Sequence, residues 1–405
     1  MKLHIGNLYW PKVTKIKNLK VSELVDEERT DILIVGAGIS GALSAYQLSK
    51  SGYKVTLIEK NTVGSGSTSA NTGLIQYMSD KGVNSFIEQI GYEEATNFYN
   101  ESVEAIETLI DINNEVDEIE TETFETLDSL ILATEKEKIE GLVKEVEVQK
   151  ELGYEAEFFD ENKLNREDIS AFGGLKATPD ISLNPYGFVN RLIYTGINKH
   201  GLSLVEHTEF IDFSSMGDCL KANLLFNEKE VSLYCNKIIF ATGYNPHLYL
   251  REKMDKIQIN KTYVTVSKEE VDAKIKDYLV WEVKDPYTYY KKTFENKLMI
   301  GGLDVEDDKL TEEDYEKNKY KLIELVNNLL ANEVDITPEH SYAALFGVSK
   351  DNLPYMGVDP DNNNVFVICG VGGNGTVYST IASKIVSKWI KGEDISKYNT
   401  FRIGR

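Results

Sequence analysis

Short apolar runs that stop at glycine, separated by stretches with helical spacing, set the hydrophobic pattern of this chain. Residues 31–41, Asp-Ile-Leu-Ile-Val-Gly-Ala-Gly-Ile-Ser-Gly, are an apolar strand running into a glycine turn, and Ile39 to Lys50 behind it has helical periodicity. Tyr53 to Ile58 reads as a second, parallel strand with Glu59 at its tip. From Phe86 to Ile112 apolar residues recur at helical spacing (Phe98, Val103, Ile106, Leu109, Ile110). The strand Leu127 to Ala133 and a helix from Glu135 to Leu152 follow, an inserted helix and strand module. A helix near Tyr186 to His200 and strands at Leu202 to Val205 and Val231 to Phe240 restore the parallel pattern.

From Thr262 to Gly302 short strands follow one another with no helix between them, which predicts an antiparallel sheet, and an amphipathic helix follows near Tyr315 to Leu330. Val365 to Cys369 reads as the last strand. The helix after it carries Val377, Ile381, Ile385 and Trp389 on one stripe and Tyr378, Ala382, Val386 and Ile390 beside it, a pattern that predicts deep burial. No internal repeat or low-complexity tract interrupts the sequence.

Composition narrows the classes. A chain of 405 residues predicts two or three domains, and a net charge of −22 argues against a nucleic-acid partner, which needs clustered Lys and Arg. The three cysteines, Cys219, Cys235 and Cys369, are far apart and match neither a zinc site nor a disulfide framework. No metal is expected. The histidines His4, His200, His207, His247 and His340 are scattered, and none is assigned to catalysis. No apolar run approaches the roughly 18 residues that span a bilayer, and the first residues lack a signal-peptide core, so the expected location is cytoplasmic.

The chemistry sits at the glycine turns. Gly36 permits a tight turn, Gly38 lets backbone approach a pyrophosphate, and Gly41 lets the helix pack on its strand, while Glu59 is placed to accept from a ribose. The helix start at Ile39 and Ser40 then faces the phosphates. The small-residue loop Gly64 to Gly73 can wrap closely around a ligand, although a flexible linker has the same composition. Ala241-Thr242-Gly243 closes a strand with small residues. Gly370-Val-Gly372-Gly-Asn-Gly375 repeats the glycine spacing, but only about 15 residues follow its helix, too few for a second nucleotide-binding unit. Its helix N-terminus is expected to point at another part of the same ligand, and four such contacts suit FAD better than NAD.

In these segments the chain resembles the D-amino-acid-oxidase-like family of FAD-dependent oxidoreductases, the group of glycine oxidase, sarcosine oxidase and γ-glutamylputrescine oxidoreductase. The motifs, in the family's order, are Gly36 to Gly41 with Glu59, Ser67-Thr-Ser-Ala-Asn-Thr-Gly73, Tyr287-x-Tyr289 with Gly301-Gly302, Lys350 to Gly357, and Gly372 to Thr376. The resemblance implies FAD contacts at Gly36, Gly38, Gly41, Glu59 and Lys60. The small-residue loop adds Ser67, Thr68, Thr72, Gly73 and Leu74, then come the backbone at Phe210 and the closing turn Gly373, Asn374, Gly375 and Thr376. Ile39, Ser40, Ala241, Thr242 and Gly243 are expected beside them.

The resemblance further implies an α/β plus α+β fold. A Rossmann-like FAD-binding domain of the glutathione-reductase type (1–85, 184–255, 338–405) is interleaved with a substrate domain on a largely antiparallel sheet (86–183, 256–337). The implied activity is oxidation of a primary or secondary amine to an imine, with two electrons passing to FAD and then to oxygen. The chain departs from the family at two points. Phe346 stands where glycine-oxidase-like relatives carry a carboxylate-clamping arginine, and Lys291 and Lys292 follow the Tyr-x-Tyr strand where close relatives often have arginine. Tyr287, Tyr289, Lys291, Phe346 and Tyr378 are therefore candidates for the pocket of an amine substrate, and no catalytic residue is assigned. A covalent flavin is not expected, because Ala344 falls near the sarcosine oxidase cysteine. The alternatives are a dehydrogenase that passes electrons to a protein acceptor, an FAD-binding protein without turnover, and a NAD-dependent dehydrogenase.

Overall fold

The computed structural model describes residues 2–78, 81–244, 257–271, 277–331 and 334–405; His247 and the expected boundary at 255/256 fall outside them. The described strands form two sheets, one of eight strands and one of ten. At the centre of the first, Asn362–Cys369, Lys229–Gly243, Glu28–Val35, Val55–Ile58 and Ser203–Val205 run parallel in that order. Their apolar side chains are buried on both faces, as a parallel sheet requires: Ile32, Leu33, Ile34, Ile238 and Ile239 are essentially inaccessible. The helices Ile39–Lys50, Pro185–His200 and Gly375–Ile390 cover one face, and Ser40 Oγ and Ser379 Oγ lie 2.6 Å apart where the first and last of them meet.

The other face carries the antiparallel hairpin Thr208–Met216 and Cys219–Phe226, which pairs with Lys229–Gly243 and which the sequence did not announce. Gly173–Leu183 is a second strand missed by periodicity; it pairs with Phe124–Ala133, Glu155–Asp160 and Leu74–Ile75. The helical stretch expected over Phe86 to Ile112 is two helices, Val83–Ile90 and Tyr92–Glu115, broken at Gly91 with φ +87°. The glycine-rich loop contains one helical turn, Ser67–Ala70.

The ten-stranded sheet runs His4–Gly6, Pro338–Val348, Gln258–Glu270, Lys297–Glu306, Thr288–Lys292, Tyr278–Glu282, Phe124–Ala133, Gly173–Leu183, Leu74–Ile75, with Glu155–Asp160 attached to Gly173–Leu183. It is antiparallel except where Tyr278–Glu282 pairs parallel with Phe124–Ala133. The helix Glu312–Leu329 packs Leu322, Val326 and Leu329 on one face, against Tyr290, Leu298 and Ile300. Sheet membership divides the chain differently from the expected boundaries. Residues 4–6, 74–75 and 338–348, which fall within the expected nucleotide domain, pair in this second sheet. Apolar periodicity finds strands but not their partners, which is the reason for the discrepancy.

Candidate active site

At the carboxyl ends of the parallel strands the chain leaves Glu28–Val35 on one side and Lys229–Gly243 on the other, and a cavity of about 890 Å³ opens at this switch point. Gly36 forms its floor with φ +105°; a Cβ there would lie 2.5 Å from the Ala241 carbonyl oxygen, so only glycine fits. Gly38, Ile39 and Ser40 bring the start of the first long helix to the wall, where the Ile39 N–H donates to Thr68 Oγ1 at 3.1 Å. Helix-start N–H groups lack partners in their own helix, so they suit an anion. Gly41, two residues beyond Ile39, does not line the cavity; a Cβ would run into the Gly36 carbonyl, so its role is to seat the helix on the turn.

Glu59 is fixed by two backbone donors, Ala37 N–H to Oε2 and Asn61 N–H to Oε1, both at 2.9 Å. A carboxylate has about four acceptor positions, so two remain for hydroxyl donors of a ligand. Lys60 lines the wall in an ion pair of 2.6 Å with Glu209; both are well exposed, and the pair contributes little. Phe210, Ala241, Thr242 and Gly243 border the same region.

The small-residue loop supplies Ser67, Thr68, Thr72 and Leu74 to the wall. Gly73 lies behind them with φ +77°, its carbonyl accepting from the Leu183 N–H at 2.8 Å and from Lys291 Nζ at 3.0 Å. Lys291 is thus placed outside the cavity. It lies on the same face of its strand as Tyr289, two residues on, and is fully buried, donating to Gly73 O, Leu183 O and Ser182 Oγ, each at 3.0 Å. Burial pushes its ammonium down to about 7.

The closing turn arrives from the far end of the chain. Gly372, Gly373, Gly375 and Thr376 line the cavity that Gly36 to Ser40 line, so the two glycine turns meet on one space. Asn374 does not face it; its amide donates to the Gln76 carbonyl at 2.8 Å and ties the turn to the loop. Tyr378 is also displaced: it is buried beneath the turn, its ring 5.6 Å from that of Phe98.

The second sheet roofs the remaining end with Trp281, Tyr287, Tyr289, Thr262, Asp304 and Phe346. Tyr289 lies across its register partner Gly301, where any Cβ would meet the ring, which gives the Gly301-Gly302 pair its physical reason. A register shift between Lys261 and Tyr263 sets Leu303 and Asp304 opposite Thr262 alone, with Leu303 at φ +58°; such a bulge re-aims a side chain. Tyr287 Oη donates to Asp304 Oδ2 at 2.9 Å. Gln76 enters from the loop, its amide donating to Ser129 Oγ at 2.7 Å, and Ser129 in turn donates to the fully buried Asp180, whose carboxyl burial raises well above the usual range. Trp281, Thr262, Asp304 and Gln76 join the lining without standing among the sequence's candidates. No motif marks them, because a bulge and a cross-sheet contact bring them to the wall.

A family model, DAO, described as FAD dependent oxidoreductase, matches residues 31–389. The probable oxidoreductase OrdL of Haemophilus influenzae is 22% identical over 96% of this chain and 89% of its own length. Among solved structures, glycine oxidase from Geobacillus kaustophilus has the same fold with TM-score 0.78 at 20% identity, covering 93% of this chain and 99% of that one. L-alpha-glycerophosphate oxidase from Mycoplasma pneumoniae, with FAD bound, superposes at TM-score 0.73 and 16% identity over 90% of this chain and 95% of that one.

Proposed function

The chain belongs to the DAO family of FAD-dependent oxidoreductases, and from that premise we propose that it oxidises the C–N bond of a primary or secondary amine with FAD held non-covalently in the central cavity. The observation that carries this reading is the meeting of both glycine turns on one space of about 890 Å³. The donor set fits the cofactor. Gly36 and Gly38 bring backbone without a side chain to the wall where a pyrophosphate would lie, the helix start would offer it the Ser40 N–H beside the Ile39 N–H that Thr68 Oγ1 holds, and Glu59 would supply acceptors to a ribose. Thr72 and Leu74 on one side and Gly373, Gly375 and Thr376 on the other would flank the rest.

FAD, when bound, supplies a two-electron acceptor for a hydride leaving the carbon beside an amine nitrogen. This chain's own residues bind and orient. The helix Gly375–Ile390 presents its first N–H groups to the cavity, where they would stabilise negative charge developing there. The second sheet's aromatic residues exclude water above it. The described lining holds neither Cys nor His, and Cys235 and Cys369 are buried in strands away from the wall, which supports non-covalent attachment. Phe346 lines the wall and offers nothing to a substrate carboxylate.

A screen of amines, amino acids and hydroxy acids, followed by flavin absorbance without oxygen, tests the reading. An amine is expected to bleach the flavin, and readmitted oxygen to restore the colour with release of hydrogen peroxide. Bleaching without peroxide points to another electron acceptor. A colourless purified protein, or a flavin that no amine reduces, overturns the proposal.

A further inference from the structure

We infer that Asp180 acts through Ser129 as a positioning residue for Gln76, and that its proton decides which end of the Gln76 amide meets the substrate: the oxygen when Asp180 is ionised, the NH2 group when it is protonated. This deepens the amine-oxidation reading above and rests on it for the nature of the substrate. Strand register assembles the three side chains. Leu127 pairs with Asp180 and Ser129 with Ala177, a shift that leaves Thr178 and Pro179 opposite Asp128 alone and brings Ser129 within reach of Asp180. On the other edge Leu74 and Ile75 pair with Ser182 and Ile181, so Gln76 and Tyr77 follow beside Asp180. The Asn374 amide holds the Gln76 carbonyl at 2.8 Å, which fixes the backbone and leaves the side-chain amide to turn.

The hydrogens can be counted. Among the described residues the Asp180 carboxylate accepts from Tyr77 N–H at 2.8 Å and from the Ser129 hydroxyl, and no cation touches it. Ser129 Oγ meets two side chains, Asp180 and, at 2.7 Å, the Gln76 amide nitrogen, and it has one hydrogen to give. With Asp180 ionised, that hydrogen goes to the carboxylate, Ser129 receives the Gln76 N–H, and the amide oxygen is left for the cavity that Gln76 lines. When a proton from solvent binds Asp180 Oδ2, the carboxyl O–H donates to Ser129 Oγ, and the Ser129 hydrogen loses its acceptor. Ser129 is fully buried, so an unmade donor there is costly. A half-turn of the Gln76 amide supplies Oε1 as the acceptor and swings NH2 to the cavity. An oxygen on the wall suits the N–H of an amine, and an NH2 group suits a carboxylate.

The surroundings leave this control with Asp180. Its carboxyl is held well above the usual range by burial, and Asp128, on the neighbouring strand and paired with Lys176 at 2.7 Å, adds to the rise. Tyr77, its hydroxyl raised by burial, donates to Gln149 at 2.9 Å, and Glu145 beyond it is taken up by the Val83 and Asn84 N–H groups. Glu155, opposite Thr178 on the outer strand, is exposed. Lys291 is held at Ser182, two residues along the strand, and titrates in its own right at about 7.

The test uses the flavin-loaded protein and two probes whose charge is fixed from pH 5 to pH 9. Guanidinium only donates and has no C–H bond to oxidise; methanesulfonate only accepts. Each is titrated at constant ionic strength against the bound flavin's visible spectrum. As pH rises, the ratio of guanidinium to methanesulfonate affinity is expected to climb roughly ten- to hundredfold, the scale of one charge-assisted hydrogen bond. Asp180→Asn puts an NH2 group where the protonated acid has its O–H, so its ratio is expected to stay low at every pH. Ser129→Ala keeps the acid but cuts the chain and is expected to flatten the profile, as is Gln76→Leu on the open wall, which serves should a buried variant not fold. A flat ratio in the wild type overturns the inference. So does a wild-type slope that survives in S129A or Q76L, which is the direct field of Asp180, or in D180N, which is the titration of Lys291. If the ratio behaves as expected and no amine reduces the flavin, the relay stands and the amine reading fails; if an amine reduces the flavin and the ratio is flat, the relay alone falls.

Discussion

Replacing Lys291 by methionine isolates one buried charge. Lys291 is fully buried, and its ammonium, held down to about 7 against an ordinary 10.5, donates to two carbonyls and one hydroxyl with no carboxylate in contact. Its pKa is lower in the folded chain than in the unfolded one. Between those values the unfolded chain binds more protons, and stability rises with pH. Integrating the linkage from pH 7 to pH 9 gives the wild type about 2 kcal/mol of stability that Lys291→Met does not gain. The slope is about half its full value at pH 7, where the folded lysine is half charged, and steepens towards pH 8. The assay is urea unfolding of both proteins at pH 6, 7, 8 and 9 with FAD at one fixed concentration, the difference between the curves cancelling the titrating groups that are not coupled to Lys291 as Glu125 is. The wild type is expected to climb relative to the variant, and the variant to be the more stable where the wild type must bury its charge, less whatever the unpaired carbonyls cost it. Curves that stay parallel from pH 7 to pH 9 would refute the argument, because Lys291 would then titrate alike in both states.

Asp180 gives the opposite slope. Its folded carboxyl is raised well above 3.8, so its contribution is fully present below the unfolded value and is lost as pH rises through the folded one; relative to Asp180→Asn, the wild type should lose stability as pH rises above 3.8, and equal slopes in urea unfolding would count against its burial as an acid. Gly36→Ala forces a side chain to φ +105° against the Ala241 carbonyl, a backbone cost of about 1–2 kcal/mol before the clash, so the protein should purify with little flavin, measured as visible absorbance per polypeptide. Acid precipitation of the yellow protein should leave the colour in the supernatant; colour retained in the pellet would mean a covalent bond.

Much of the nucleotide end was legible in the linear sequence because its signals are local. A strand, a turn that only glycine can make, a helix and an acid at the next strand tip follow one another over about 30 residues, and each leaves its own mark in residue type and spacing. The same holds for the closing turn, whose small residues are required wherever backbone must approach a ligand. Gly41, Gly73 and Asn374 show the limit of such reading: they sit within the motifs, but their side-chain positions point into packing or into a tie between loops.

The roofed end obeys a different logic. Tyr289 and Lys291 are two residues apart on one strand face, yet the first lines the cavity and the second is sealed under Gly73 and Leu183, because the loop Thr72 to Leu74 crosses between them. The Asp304 side chain turns to the cavity through a bulge against Thr262, and the pairing of His4–Gly6 and Pro338–Val348 joins residues more than 300 positions apart. Sequence alone determined where the backbone had to be free of side chains and where apolar faces had to be buried, since those are properties of neighbours along the chain. Which charges face the cavity was decided by strand register and sheet order, which depend on contacts that no local pattern encodes.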